Sequence, residues 1–197
     1  QKRNIKSFCK NNTFHDLMPT ISIKSKINEA TNLIKNKEIM KAVEKLELIK
    51  DQNNPEVYFL LGSLYLNLKK IDVAKKNLQF ACSLDSKNPR VFHNLGILKL
   101  LENKNDEAKS FFKEAYSKDP NYINSLIELG KIYEDENNFN EAKKYYFLAL
   151  KIENNNYTVN FRIAKLLHNN YYFKEASEYY RKSIGFIRFS NFKLEII

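Results

Sequence analysis

Four consecutive segments of this chain, beginning at Pro55, Pro89, Ile123 and Tyr157, stay in register at a spacing of 34 residues without a gap. Their eighth residues are Gly62, Gly96, Gly130 and Ala164. Their twentieth are Ala74, Ala108, Ala142 and Ala176, and their twenty-seventh are Ala81, Ala115, Ala149 and Ser183. A fixed period of this length, with small residues at three fixed offsets, marks a stacked repeat whose units bury their apolar faces against one another. Glycine inside a helix costs about 1 kcal/mol relative to alanine. Its recurrence at one offset therefore implies an offsetting gain, which we assign to close approach of the first helix of each repeat (helix A) to the second (helix B). The alanines at positions 20 and 27 are the matching small residues on helix B.

Within the period the apolar residues follow helical spacing. The expected pairs are Pro55–Leu68 with Asp72–Leu84, Pro89–Glu102 with Asp106–Ser117, Ile123–Glu136 with Asn140–Ile152, and Tyr157–Asn169 with Lys174–Ile184. Proline in the first helical turn forfeits no hydrogen bond. Asp72, Asp106 and Asn140 are read as N-caps of helix B. Upstream, helical period begins near Ser22. Ile23, Ile27, Ala30 and Ile34 share one face, and Ile39, Val43, Leu46 and Ile49 form a second stripe after a polar turn. Aligning Ala42 with the later alanines puts Ala30 at the glycine position. Residues 22–54 are then a divergent first repeat, followed by repeats at 55–88, 89–122, 123–156 and 157–184. Residues 1–21 read as a basic, flexible lead-in able to dock through Phe8, Phe14 or Leu17. Residues 185–197 form an apolar tail in which Asn191 would be position 1 of a truncated sixth repeat. Folding back over the last helix and self-association are the other uses of such a tail.

Tyr58-x-x-Leu61-Gly62-x-x-Tyr65 followed by Ala74-x-x-x-Leu78 and Ala81 resembles the tetratricopeptide repeat. Phe92-x-x-Leu95-Gly96 with Ala108-x-x-x-Phe112, Ala115 and Pro120 repeats the pattern. So does Leu126-x-x-Leu129-Gly130-x-x-Tyr133 with Ala142-x-x-x-Tyr146 and Ala149. Lys99 replaces the usual tyrosine, Asn160 a large apolar residue, and Ala164 the glycine. The resemblance spans about residues 22–184 and implies an all-α, right-handed α-α superhelix (solenoid) of about five helical hairpins.

It also implies where a partner would bind, because helices A of the family line a concave groove, chiefly through repeat positions 2, 5, 6, 9, 12 and 13. Here these are Phe59, Leu60, Ser63 and Asn67, then Arg90, His93, Asn94 and Ile97. The fourth repeat contributes Asn124, Ile127, Glu128 and Lys131, and the fifth Phe161, Arg162, Lys165 and His168. That face has an apolar floor toward its start and a basic end, suited to a peptide with apolar anchors and some acidic character. In the competing reading Phe59 and Leu60 pack on the N-terminal hairpin. The two-carboxylate clamp for chaperone C-termini is not matched: Phe59, Ser63, Asn94, Asn124 and Glu128 stand at its positions, and only Asn94 fits.

Composition excludes several other functions. The chain has 197 residues, 43% of them apolar, and a mean hydropathy of −0.55. No run approaches the roughly 18–20 apolar residues of a spanning helix. Net charge is +10, of which +6 falls in residues 1–50. Excess charge away from the groove weighs against RNA binding, although some helical-hairpin arrays bind RNA. Cys9 and Cys82 are the only cysteines. Cys82 reads as a small buried hydrophobe, so no structural disulfide is expected. Residues 1–20 lack the apolar core of a signal peptide, which leans toward an intracellular setting. Three of the four glycines serve the repeats, leaving only Gly185, so no phosphate-cradling loop can be assembled. His15, His93 and His168 are not at metal-ligand spacing, and His93 and His168 read as groove or surface residues. The Glu134-Asp135-Glu136 run reads as a solvated face. The expectation is a non-catalytic interaction scaffold with no cofactor or metal. The alternative is a structural subunit that contacts its neighbours through its ends.

Overall fold

The computed structural model describes the backbone of residues 13–50 and 53–184, and the side chains of residues 23–50 and 53–184. Of the docking residues expected in the lead-in, Phe8 lies outside the described residues, as does the tail 185–197. Phe14 and Leu17 fall on the described backbone of a helix that begins at Thr13, with their side chains outside the described ones. The chain divides into two compact units, residues 1–86 and 87–197.

The first unit holds α1 (Thr13–Lys35), α2 (Ile39–Glu47), α3 (Pro55–Asn67) and α4 (Ile71–Leu84). Helix α1 pairs with α2, α3 pairs with α4, and α2 also meets α3. Ala30, Ala42, Leu46, Val57 and Leu61 are fully buried at the centre of this unit's core. Helix α1 begins nine residues before Ser22, the expected start, and Pro19 falls inside it. Proline forfeits one helical hydrogen bond and clashes with the preceding turn, so it reads as a boundary in sequence. Here the helix continues through it.

The second unit holds α5 (Pro89–Leu101), α6 (Asn105–Lys118), α7 (Ile123–Asp135), α8 (Phe139–Ile152), α9 (Tyr157–Asn169) and α10 (Phe173–Ser183). Its three hairpins are α5–α6, α7–α8 and α9–α10, with α6 against α7 and α8 against α9. Phe112, Leu126, Leu129, Tyr146 and Ile163 are fully buried in one continuous core. Across one hairpin boundary, Phe139 stacks on Tyr172 with ring centroids 5.6 Å apart.

All five A-to-B turns have the same backbone. Lys37, Lys69, Asn103, Asn137 and Tyr171 adopt φ of 63, 56, 59, 56 and 68°. After α3, Lys70 N–H donates to Tyr65 O (2.9 Å) and Lys69 N–H to Leu66 O (3.0 Å), the pair of bonds that defines a Schellman motif. The same pair recurs with Lys104 on Lys99 O (2.8 Å), Asn138 on Tyr133 O (2.8 Å) and Tyr172 on Leu167 O (3.0 Å). So tight a reversal starts helix B immediately, and the caps become Lys70, Lys104 and Asn138. Asp72, Asp106 and Asn140 lie inside the first turn instead of capping it, where the two carboxylates favour the helix dipole. Of the three caps only Asn138 acts through its side chain, accepting from Glu141 N–H at 3.2 Å. Helix A starts differently. The side chains of Asn54, Asn88 and Asn156 accept from Glu56, Arg90 and Val159 N–H at 2.9, 3.1 and 3.0 Å.

The glycines do permit close packing, but against large residues. Gly62, Gly96 and Gly130 receive Leu78, Phe112 and Tyr146, each four residues after the alanine at position 20. Those alanines, and Ala81, Ala115 and Ala149, are fully buried beside them, whereas Ser183 is half-buried. Cys82, expected to be buried, is also half-buried, because position 28 sits at the margin of helix B.

Candidate functional site

In the first unit the residues of α3 expected to line a groove are mostly covered. Phe59 is buried, and Leu60 packs on the cluster that contains Leu46 and Ala30. Ser63 is half-buried and donates to Phe59 O at 2.8 Å, leaving Asn67 exposed.

In the second unit, Arg90, Asn94 and Ile97 on α5 are half-buried. His93 is a wedge between hairpins instead of a groove or surface residue. Its ring lies 5.3 Å from that of Phe112 and 5.4 Å from that of Tyr122, and its Nδ1 is 3.1 Å from the hydroxyl of the fully buried Ser125. Burial pushes its pKa down to about 4, against a partial opposing pull from Glu128. On α7, Asn124 is exposed, Ile127 is buried, and Lys131 pairs with Glu128 at 2.7 Å.

Helix α9 presents the open surface. Phe161 is 51% exposed, and Arg162 and Lys165 keep 33% and 49% of their side chains exposed. His168 is exposed beside Phe173 and Tyr180. Both cations face Glu134, with Arg162 Nη1 at 3.8 Å from its Oε2 and Lys165 Nζ at 3.7 Å from its Oε1. Glu134 is not the solvated residue expected. Its side chain is 13% exposed, and its Oε2 accepts from the Tyr146 hydroxyl at 2.7 Å. The signal was its repeat position, 12, which is also that of His168. Glu136 likewise pairs with Lys109 at 2.9 Å, while Asp135 is exposed.

Among the described residues, no group of three His, Cys, Asp or Glu side chains is placed to hold a metal. A shallow polar hollow of about 400 Å³ is lined by Asn103, Lys104, Asn105, Asp106, Glu107 and Glu136. Its carboxylates are paired with Lys99, Lys104 and Lys109, so it reads as an ion-pair network along the turns. No described helix is long and apolar enough to cross a membrane.

Successive helical hairpins joined by matching turns, three of them packing a glycine against a large residue, define an all-α helical-repeat protein. Tetratricopeptide repeat profiles match residues 55–88 and 99–157, and the chain belongs to that family. Solved structures of the same fold include PilF of Pseudomonas aeruginosa, at 20% identity and a TM-score of 0.76, covering 84% of this chain and 77% of that one. A MamA crystal structure matches at 18% identity and a TM-score of 0.66, covering 79% and 92%. YrrB, described as a TPR protein with an unusual peptide-binding site, matches at 17% and 0.59, covering 84% and 90%. No curated protein sequence matches the chain. Repeats of this family are generally non-catalytic interaction modules, and the chain is accordingly a protein–protein interaction scaffold.

Proposed function

We propose that this scaffold has no catalytic activity of its own and binds a peptide segment of a partner across the α7 and α9 faces. The observation that carries the reading is the Arg162–Lys165 pair beside exposed Phe161. Direct charge-assisted N–H···O bonds run about 2.7–2.9 Å. Both contacts to Glu134 are longer, at 3.8 and 3.7 Å, so each cation retains donor capacity for an incoming carboxylate. Phe161, one residue before Arg162, offers the apolar anchor point. The partner segment is therefore apolar at one position and acidic within a few residues of it. The peptide-binding site of YrrB, on the same fold, supports the reading.

Fluorescence anisotropy with a labelled peptide of alternating leucine and glutamate tests it. Arg162→Glu/Lys165→Glu is expected to weaken binding at least ten-fold while the helical content stays unchanged. Equal affinity for wild type and variant would count against recognition at this face.

A further inference from the structure

The α9–α10 hairpin exposes the face with which the preceding hairpin receives its neighbour, and we infer that this face docks a helix of another protein, apolar along one stripe and acidic beside it. Equivalent residues one period apart make the case. Ile127 is 8% exposed, whereas Phe161 at the same repeat position is 51% exposed. Tyr146 is fully buried and Tyr180 only partly so; Phe139 is half-buried on Tyr172, whereas Phe173 is 56% exposed. The uncovered rings also form a continuous surface. His168 meets Phe173 at 5.2 Å and Tyr180 at 6.2 Å, and Phe173 meets Tyr171 at 6.1 Å. A connected exposed aromatic patch of this kind marks an interaction site.

The interface already present inside the array describes the occupant. The helix seated on α7–α8 is α9, which buries Val159, Ile163, Leu166 and Leu167 to between 0 and 4% exposure. An occupant of the next site needs the same apolar stripe. Charge selects its flank, since α9 and α10 carry five basic side chains against two acidic ones, Glu175 and Glu178.

The chain's own residues fit less well. At the 34-residue period, Lys193 would take the place held by Val57, Val91, Ser125 and Val159, each at most 1% exposed. Burying an unpaired ammonium there is strongly unfavourable. A second copy stacked head to tail would offer, among the described side chains of α1, Ser25, Lys26 and Glu29, which are exposed and polar. Two copies face to face would bring two net-basic hairpins together.

The test uses the full chain and a labelled 16-residue helical peptide. The peptide carries the apolar residues of α9 at the four buried positions and glutamate at the outward ones; a control carries lysine instead. Anisotropy is expected to give micromolar binding, at least ten-fold weaker for the lysine control and lost on Phe173→Asp, an exposed position that leaves the melting curve unchanged. Equal affinity for the two peptides, or undiminished binding to Phe173→Asp, overturns the inference. So does a concentration-dependent dimer in light scattering that Phe173→Asp dissolves, which assigns the face to a second copy. Binding that appears only after Phe192→Asp/Leu194→Asp assigns the face to residues 185–197 and also overturns it.

Discussion

A Cβ added at Gly130 would lie 2.5 Å from Cδ1 of Tyr146, and nearer still to Cε1. The ring cannot retreat, because Tyr146 is fully buried and its hydroxyl is held by Glu134 at 2.7 Å. Alanine gains about 1 kcal/mol of helix propensity over glycine, but overpacking a close contact costs about 1–3 kcal/mol. Gly130→Ala should therefore destabilise the second unit. Gly96→Leu should destabilise it more, since even a Cβ there would lie 2.6 Å from Phe112 Cε1 and the rest of the side chain has nowhere to go. Thermal and urea melts read both effects. Unchanged curves would remove close helix packing as the reason for the glycines.

The repeated turn yields a change of opposite sign. Lys69 sits at φ 56° with its side chain exposed. Left-handed backbone costs a residue with a Cβ about 1–2 kcal/mol, and the greater unfolded-state freedom of glycine returns part of that. Lys69→Gly should stabilise the first unit by about 0.5–1 kcal/mol. Asn67→Gly, two residues earlier in the last turn of α3, should instead destabilise it by about 0.3 kcal/mol, the difference in helix propensity between asparagine and glycine. If both substitutions lowered the melting temperature alike, the strain assigned to Lys69 would be absent.

These two cases mark how far the sequence could be read. The helices from α3 to α10 were legible to within a residue or so at each end, because the period constrains every apolar position four times over. The turns were not, because a left-handed residue is normally signalled by glycine, and here lysine, asparagine and tyrosine hold it. Hence Asp72 and Asp106 looked like caps when they lie two residues past the caps, in the first turn. For the candidate site, repeat position tells which way a side chain leaves its helix but not how much its neighbours cover it. Phe59, Ile127 and Phe161 share position 5, yet only Phe161 is open. Glu134 was missed because an acidic run at a helix end usually is solvated, and nothing local in sequence reveals the Tyr146 hydroxyl beneath it.

His93 gives a pH dependence with a definite sign. An exposed histidine titrates near 6.5, and burial lowers this one to about 4. The unfolded chain therefore takes up the proton first as pH falls. The stability contributed by neutral His93 is complete above about pH 6.5 and is lost progressively down to about pH 4. Glu128 and Lys131 face the ring with opposing influences. His93→Phe keeps the packing on Phe112 and Tyr122 without a titrating group. Its melting temperature should fall less than that of wild type between pH 6.5 and 4, in proportion to one proton. Parallel curves would mean that His93 takes up its proton equally well in the folded state.

Asn160 is the one buried polar residue on the core face of α9. It is 1% exposed, its Nδ2 donates to Asn156 O at 3.0 Å, and its Oδ1 has no hydrogen-bond partner. Equivalent positions hold Tyr58, Phe92 and Leu126. An unsatisfied buried acceptor costs about 1–3 kcal/mol, and replacing it with an apolar group of the same shape removes that cost. Leucine is nearly isosteric with asparagine, so Asn160→Leu should fit without overpacking and raise the stability of the second unit by about 1–2 kcal/mol. Asn160→Ala separates the two contributions, since it removes the orphaned oxygen but leaves a cavity, and should fall below Asn160→Leu. Should Asn160→Leu melt below wild type, the carbonyl oxygen must have a partner in solution, and position 160 would be a polar site of the array instead of a defect in its core.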